Sequence, residues 1–325
     1  MTRQPVNLST LAATVTVVLW ALSFIAIRSA GHAFTPGVMA LGRLAVAVVA
    51  LVAIVITLRR KRLRSAFIPP RGRALALVVA YGVAWFGAYT VVLNWAEQHI
   101  DAGTAALLVN FAPILVAVFA GFFLGEGFSP PLVIGIAIGF VGVVLITFGG
   151  GSAHADWLGV GLGLLAALLY AAGVLLQKVA LGAVDAVSAT FWGALAGLVV
   201  TLPFLPAAIT EVGQASAADL GWVVFLGVGP TAVAFTTWAY ALARTDAGTM
   251  AATTLVVPAL VIILSWLLLD EVPTGLRIAG GALSLAGVAL TRGLIPVPRR
   301  RSGVPRPVAR GARVESELKE HEIEP

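Results

Sequence analysis

Asp101-Ala102-Gly103-Thr104 and Asp246-Ala247-Gly248-Thr249 are one tetrapeptide met twice, 145 residues apart. Held in that register, Pro113 falls on Pro258, Leu124 on Leu269, Glu126 on Glu271, Gly135 on Gly280 and Gly142 on Gly287. From 101 to 145 the ungapped comparison gives 15 identities in 45 positions. Chance in a chain so rich in Ala, Leu, Val and Gly would give about a tenth. The chain is therefore a duplication. A second register, offset by 150, sets Trp20 on Tyr170 and Arg28 on Lys178, so the stretch between the two registers is five residues shorter in the second copy.

The sequence around the two copies belongs in lipid. Of 325 residues, 59% are hydrophobic and only 11% charged, where a soluble domain carries roughly a quarter charged residues. The segment from Ile295 onward holds 12 of the 36 charges and the stretch 59–73 holds seven more, which leaves 17 for everything else. So few charges cannot cover a water-facing surface of that size. A soluble enzyme, a secreted disulfide scaffold and a disordered chain are excluded. Cys is absent, which removes disulfides, thiolate metal sites and thiol nucleophiles. The run Leu11 to Ile27 is longer than a signal-peptide core and lacks a small-x-small cleavage site, so it reads as a retained first span.

A membrane helix needs about 20 mainly apolar residues. Division at polar and Pro/Gly breaks gives ten spans: 9–28, 36–58, 75–95, 104–124, 131–149, 157–178, 186–206, 220–242, 249–269 and 274–291. Lys and Arg then test the division, because cytoplasmic loops retain positive charge. With the N-terminus inside, 18 of the 21 basic residues fall on the inner side, Arg28 and Arg277 on the outer, and Arg43 within a span. This orientation accounts for the net charge of +6 without a nucleic-acid partner, and it puts both termini in the cytoplasm. The tail 295–325 is Pro- and Arg-rich, then acidic, with too few apolar residues to fold. Its Arg299, Arg300 and Arg301 suit anionic lipid as well as orientation.

Each copy, 9–149 and 157–292, holds five spans. Five is odd, so the second copy enters the membrane from the opposite side. The expected fold is an all-α integral membrane protein of ten transmembrane helices in two inverted five-helix repeats. Inverted halves can exchange conformations, which turns an outward-open cavity into an inward-open one.

The D-A-G-T opening of spans 4 and 9, the mid-helix prolines, the glutamates that close both spans, and the pairs Trp95-Ala96 and Tyr240-Ala241 resemble the EamA-type drug/metabolite transporters over residues 10–292. The glycines of spans 5 and 10 share the likeness. It implies a ten-helix carrier of two EamA repeats that exports amino acids or other small metabolites through a central cavity.

The candidate site follows from the scarce polar residues. Pro113 and Pro258 each free a carbonyl in mid-span, which reads as a hinge around a cavity or as a static packing kink. Arg28 with Glu271 outside, and Lys178 with Glu126 inside, would each pair an acid with a base across the halves. They read as gates or as interfacial anchors that snorkel to water. Arg43 lies within span 2 and binds a substrate carboxylate or serves structure. Neutral candidates for the cavity wall are Trp20, Ser23, Tyr89, Asn94, Asn110, Tyr170, Gln177, Thr237, Trp238 and Thr253, with Thr236 and Thr254 beside them. Amides, hydroxyls and rings suit a zwitterionic or amphipathic solute better than a metal ion. The stripes Gly135-xxx-Gly139 and Gly280-xxx-Ser284 allow close helix approach within one chain or between two. No two His share metal-ligand spacing on a helix, so neither metal nor cofactor is expected.

The expected function is alternating-access export of a small organic metabolite, most simply an amino acid, across a cytoplasmic-type membrane by a monomer or homodimer. The alternatives are a multidrug efflux pump and a non-transporting membrane enzyme or regulator. The first alternative lacks the central acid that would attract cationic drugs. The second would need a polar catalytic cluster confined to one half.

Overall fold

The computed structural model describes residues 8–57, 67–99, 108–148, 157–269, 273–291 and 294–295. Asp101 to Thr104, Glu271 and all of the expected 295–325 tail beyond Ile295 lie outside them, and so does the side chain of Arg28. Every regular element among the described residues is helical, as hydrocarbon requires of a chain that must satisfy its own backbone groups. The helices are α1 (Leu8–Ala30), α2 (Pro36–Thr57), α3 (Arg73–Ala96), α4 (Ala112–Phe123), α5 (Pro130–Phe148), α6 (Trp157–Ala180), α7 (Ala186–Gln214), α8 (Ala217–Leu242), α9 (247–269) and α10 (Gly275–Thr291). By length and composition α1, α2, α3, α6, α7 and α8 can each cross a membrane, and α4, α5, α9 and α10 are shorter apolar helices.

The irregularities of these helices repeat at matched positions. α3 winds into a π-helix at Gly82–Tyr89, and α8 does so at Gly227–Val233. The α4 helix opens at Ala112, and the last segment of α9 opens at Val257 after a 3-10 turn, Thr253–Val256. All of these pairs stand 145 residues apart. Pro113 and Pro258 consequently occupy the first turn of a helical segment, where the missing N–H has no partner to lose. The mid-span kink expected from them is a break placed one turn before each proline.

α7 runs past the expected end at 206. Pro203 tightens Leu202–Phe204 into a 3-10 turn, and Pro206 opens the continuation Leu205–Gln214. α8 begins with a reciprocal cap, in which Asp219 N–H donates to Ser216 Oγ and the Asp219 carboxylate accepts from Ser216 N–H. Two long helices thus start and bend for reasons that apolar run length does not carry.

The two small-residue stripes meet each other within one chain. A Cβ added at Gly142 would lie 2.5 Å from Ser284 N and Oγ, and one at Gly287 would lie 2.5 Å from Gly135 O and Gly139 N. Ser284 Oγ donates to Gly139 O at 3.2 Å across the contact. α5 and α10, the last helices of the two copies, are therefore in backbone-to-backbone contact, the arrangement that small residues permit in lipid. Nothing lies within 4 Å of a Cβ added at Gly161 in α6. Thermal unfolding in detergent should separate the two environments. Gly142→Ala is expected to destabilise by about 1–3 kcal/mol through overpacking, and Gly161→Ala to stabilise by about 0.5–1 kcal/mol through helix propensity.

Candidate functional site

A cavity of about 100 Å3 opens between the halves, bounded by α1–α4 on one side and by α6, α8 and α9 on the other. This is well above the space one water needs. Of the residues expected at the site, Trp20, Ser23, Arg43, Tyr89, Asn110, Tyr170 and Thr254 line it, together with Pro113 at the start of α4.

The π-helices supply lining that the sequence did not announce, Trp85 and Phe86 from α3 and Thr231 from α8, beside the expected Tyr89. Pro230 within the second π-helix has no N–H, so a carbonyl of the preceding turn loses its partner. Thr231 Oγ1 donates to Leu226 O at 2.7 Å. With its proton so used, the hydroxyl oxygen accepts from Arg43 Nε at 3.1 Å and Nη2 at 3.0 Å. The Pro230 carbonyl accepts from Trp20 Nε1 at 3.2 Å. Arg43, half-buried on α2, is held against the opposite half by a neutral hydroxyl, and no Asp or Glu is among the described residues of the cavity wall.

The cavity floor is aromatic. Trp85 meets Tyr170 and Phe235 edge-on at 4.9 and 5.0 Å, and Trp20 meets Phe235 edge-on at 5.3 Å. Trp238 packs 5.0 Å from Trp20 but is wholly buried, one turn beyond Phe235. It belongs to the layer beneath the cavity and not to its wall. Gln177, also wholly buried, lies two turns beyond Tyr170 on the same helix. Asn94 is drawn away as an interhelical tie, its amide donating to Pro36 O at 3.1 Å. Thr237 pairs with Thr16 Oγ1 at 2.8 Å between α8 and α1. Thr236 and Thr253 donate to carbonyls of their own helices, Ala232 and Thr249. These polar side chains are consumed by the bundle, since any hydroxyl or amide in hydrocarbon takes the nearest acceptor.

Glu126 and Lys178 sit at the other end of the bundle, around the turn from α8 to α9. The expected direct pair is replaced by a shared hold on that turn. The Glu126 carboxylate accepts from Ala247 N at 2.8 Å and Gly248 N at 3.2 Å, which places an acid at the positive end of a helix. Asp246, the residue at the capping position, makes no side-chain cap of its own, so the cap of this second-half helix comes from the first half. Lys178 Nζ donates to Leu242 O at 2.9 Å and Thr245 O at 2.6 Å, where α8 ends. Gly125 and Gly127 flank Glu126 with φ of 68° and 69°, a conformation open to glycine, and they turn the carboxylate back toward α9. The partner pair Arg28 and Glu271 falls outside the described side chains.

Known proteins share the sequence and the fold. A protein of Streptantibioticus cattleyicolor named "Probable terminal-alkyne amino-acid exporter" is 33% identical over 90% of this chain and 96% of its own length. An Escherichia coli protein named "Probable amino-acid metabolite efflux pump" is 28% identical over 85% of this chain and 92% of its own. A solved crystal structure, 20% identical in sequence, shares the fold with a TM-score of 0.72 over 88% of this chain and 97% of that one. The sequence profile of the EamA-like transporter family matches residues 7–148 and 157–293, and a chain so matched through both of its copies, with a cavity between them, belongs to the EamA-like transporter family.

Proposed function

We propose that this membrane transporter is an alternating-access exporter of small amphipathic carboxylates, amino acids foremost. It acts through ten membrane-crossing helices in two inverted five-helix repeats, 9–149 and 157–292, with both termini cytoplasmic. The observation that carries the substrate class is Arg43: one cation on the wall of a small aromatic cavity, with a neutral hydroxyl as its acceptor and no acid among the described lining residues. A guanidinium so placed can take a carboxylate. The Trp and Tyr faces around it suit an apolar side chain and, through their π-systems, an ammonium group. The names of the two relatives point to the same class of solute. A pump for cationic drugs would want an acid where Arg43 stands.

With the basic 59–73 loop inside, the cavity lies toward the outer ends of α1, α2 and α3, so this conformation faces outward. The turn held by Glu126 and Lys178 then closes the cytoplasmic side. The register gives the opposite face the same parts, namely Glu271, Arg28 and the Asp101-Ala102-Gly103-Thr104 turn. One chain supplies both walls of the cavity, so a monomer suffices for transport whether or not two associate.

Counterflow in proteoliposomes tests the substrate class. Amino acids should exchange and their carboxamides should not, and Arg43→Gln should raise the half-saturation concentration about tenfold or more, the scale of a hydrogen bond to a charged group. Equal transport of acid and amide, or competition by cationic drugs alone, would overturn the assignment. The cytoplasmic clamp has its own measurement, because the chain lacks cysteine and Ile27 lines the cavity. In an Ile27→Cys background, the ratio of outward-accessible to inaccessible carrier, read by a membrane-impermeant thiol reagent from outside, should fall about fivefold on Glu126→Gln, equivalent to about 1 kcal/mol of helix-terminus interaction. Unchanged labelling would sink the clamp.

A further inference from the structure

We infer that Gln177, Tyr81 and Trp238 form a second polar subsite on the cytoplasmic side of the aromatic floor, closed in this conformation, which receives the polar end of the substrate when the transporter opens inward. The inference rests on the alternating-access reading above and is carried by two independent observations. The first is unmet hydrogen bonding. All three side chains are wholly buried, yet Gln177 Nε2 and Oε1, Tyr81 Oη and Trp238 Nε1 have no hydrogen-bond partner. The Tyr81 hydroxyl faces Gln177 and Thr190 without reaching bonding geometry, and Thr190 Oγ1 is engaged with Ala186 O at 2.8 Å. Buried polar groups are nearly always paired, and those that are not call for a reason. A side chain whose partner arrives in another state of the cycle supplies one.

The second observation is the internal repeat. The turn after α1 and the start of α2 recur after α6 and at the start of α7 in the 150-residue register, and the π-helices of α3 and α8 open in the 145-residue register. Those registers carry Ile27 onto Gln177 and Leu93 onto Trp238. Ile27 and Leu93 both line the open cavity, so Gln177 and Trp238 hold the corresponding places in the half that is now closed. Ser23 and Arg43 map onto Gly173 and Gly193. The space those glycines leave is filled from α3. A Cβ at Gly173 would lie 2.6 Å from Trp85 Cβ, and one at Gly193 would run into the Tyr81 ring. Tyr81 and Trp85 therefore plug the mirrored cavity, and withdrawal of α3 would uncover the Gln177 amide and the Trp238 indole N–H, with the Tyr81 phenol on the retreating wall. These are neutral donors able to take a carboxylate, with the amide oxygen available to an ammonium group.

The absence of cysteine makes the test direct. In reconstituted vesicles of known orientation, Gln177→Cys should react with a membrane-impermeant methanethiosulfonate from the cytoplasmic face and Ile27→Cys from the outer face. Gln177→Leu should raise the half-saturation concentration for an amino acid presented at the cytoplasmic face about tenfold and leave the outer face unchanged, with Gln177→Asn recovering part of the loss. A transporting Gln177→Cys variant labelled from neither face, or only from outside, would overturn the subsite. So would a Gln177→Leu variant that behaves as the unsubstituted protein from both faces, and this variant decides the matter if the cysteine variant does not fold. Failure of the carrier reading looks different: the unsubstituted protein then shows no counterflow at all.

Discussion

Hydrocarbon offers the backbone no hydrogen bonds, and this constraint shapes the site more than any single side chain does. Each departure from α-helix in the bundle frees a carbonyl or an amide, and each freed group must be answered by protein or by a wet cavity. The cavity lies where the departures cluster, at the two π-helices and at the breaks before Pro113 and Val257. Beside Pro230 one such contact becomes part of the site. The Thr231 hydroxyl donates to Leu226 O and so presents its lone pairs to Arg43.

The same accounting explains the closed end. The break between α8 and α9 leaves the last carbonyls of one helix and the first amides of the next without intrahelical partners. Lys178 takes the carbonyls and Glu126 the amides. Because Glu126 comes from the other copy, a helix cap joins the two halves at this end. A cap of this kind is strong only while the helix end is dry and in register, so it can be made and broken by a small shift of the halves. Two long flexible side chains meeting in water would make a weaker and less position-sensitive contact.

Much of this was legible in the sequence because a duplication converts weak signals into paired ones. The helices, the breaks at Pro113 and Pro258, the small-residue contact between α5 and α10 and the lining roles of Trp20, Arg43, Tyr89, Asn110 and Tyr170 all follow from residue type and register. The π-helices were not legible: Gly82–Tyr89 and Gly227–Val233 are composed like their surroundings, and the local winding is set by packing. Thr231, Trp85 and Phe86 were therefore missed as lining residues, although Gly-Pro-Thr at 229–231 in a membrane span is a usable signal for a freed carbonyl with a hydroxyl beside it. Asn94 and Thr237 were misplaced for the opposite reason. Polarity in a membrane helix announces a hydrogen bond but not whether its partner is a solute or a neighbouring helix.

The two halves also differ where the repeat would make them alike, and the difference bears on how such a carrier could cycle. Arg43 has glycine, Gly193, as its counterpart, so among the described residues the one charge that lines the cavity belongs to the state proposed as outward-open. In alternating access the empty carrier must close the outer side around that guanidinium. Burying an uncompensated charge is expensive enough to block the step. A bound carboxylate would remove the cost by pairing with it. In the empty carrier the Thr231 hydroxyl already meets two of the guanidinium nitrogens across the halves, which lowers the cost without cancelling it. The balance between these two acceptors, one carried by the substrate and one built into the π-helix, sets how readily the carrier returns empty and hence whether it runs as a net exporter or as an exchanger.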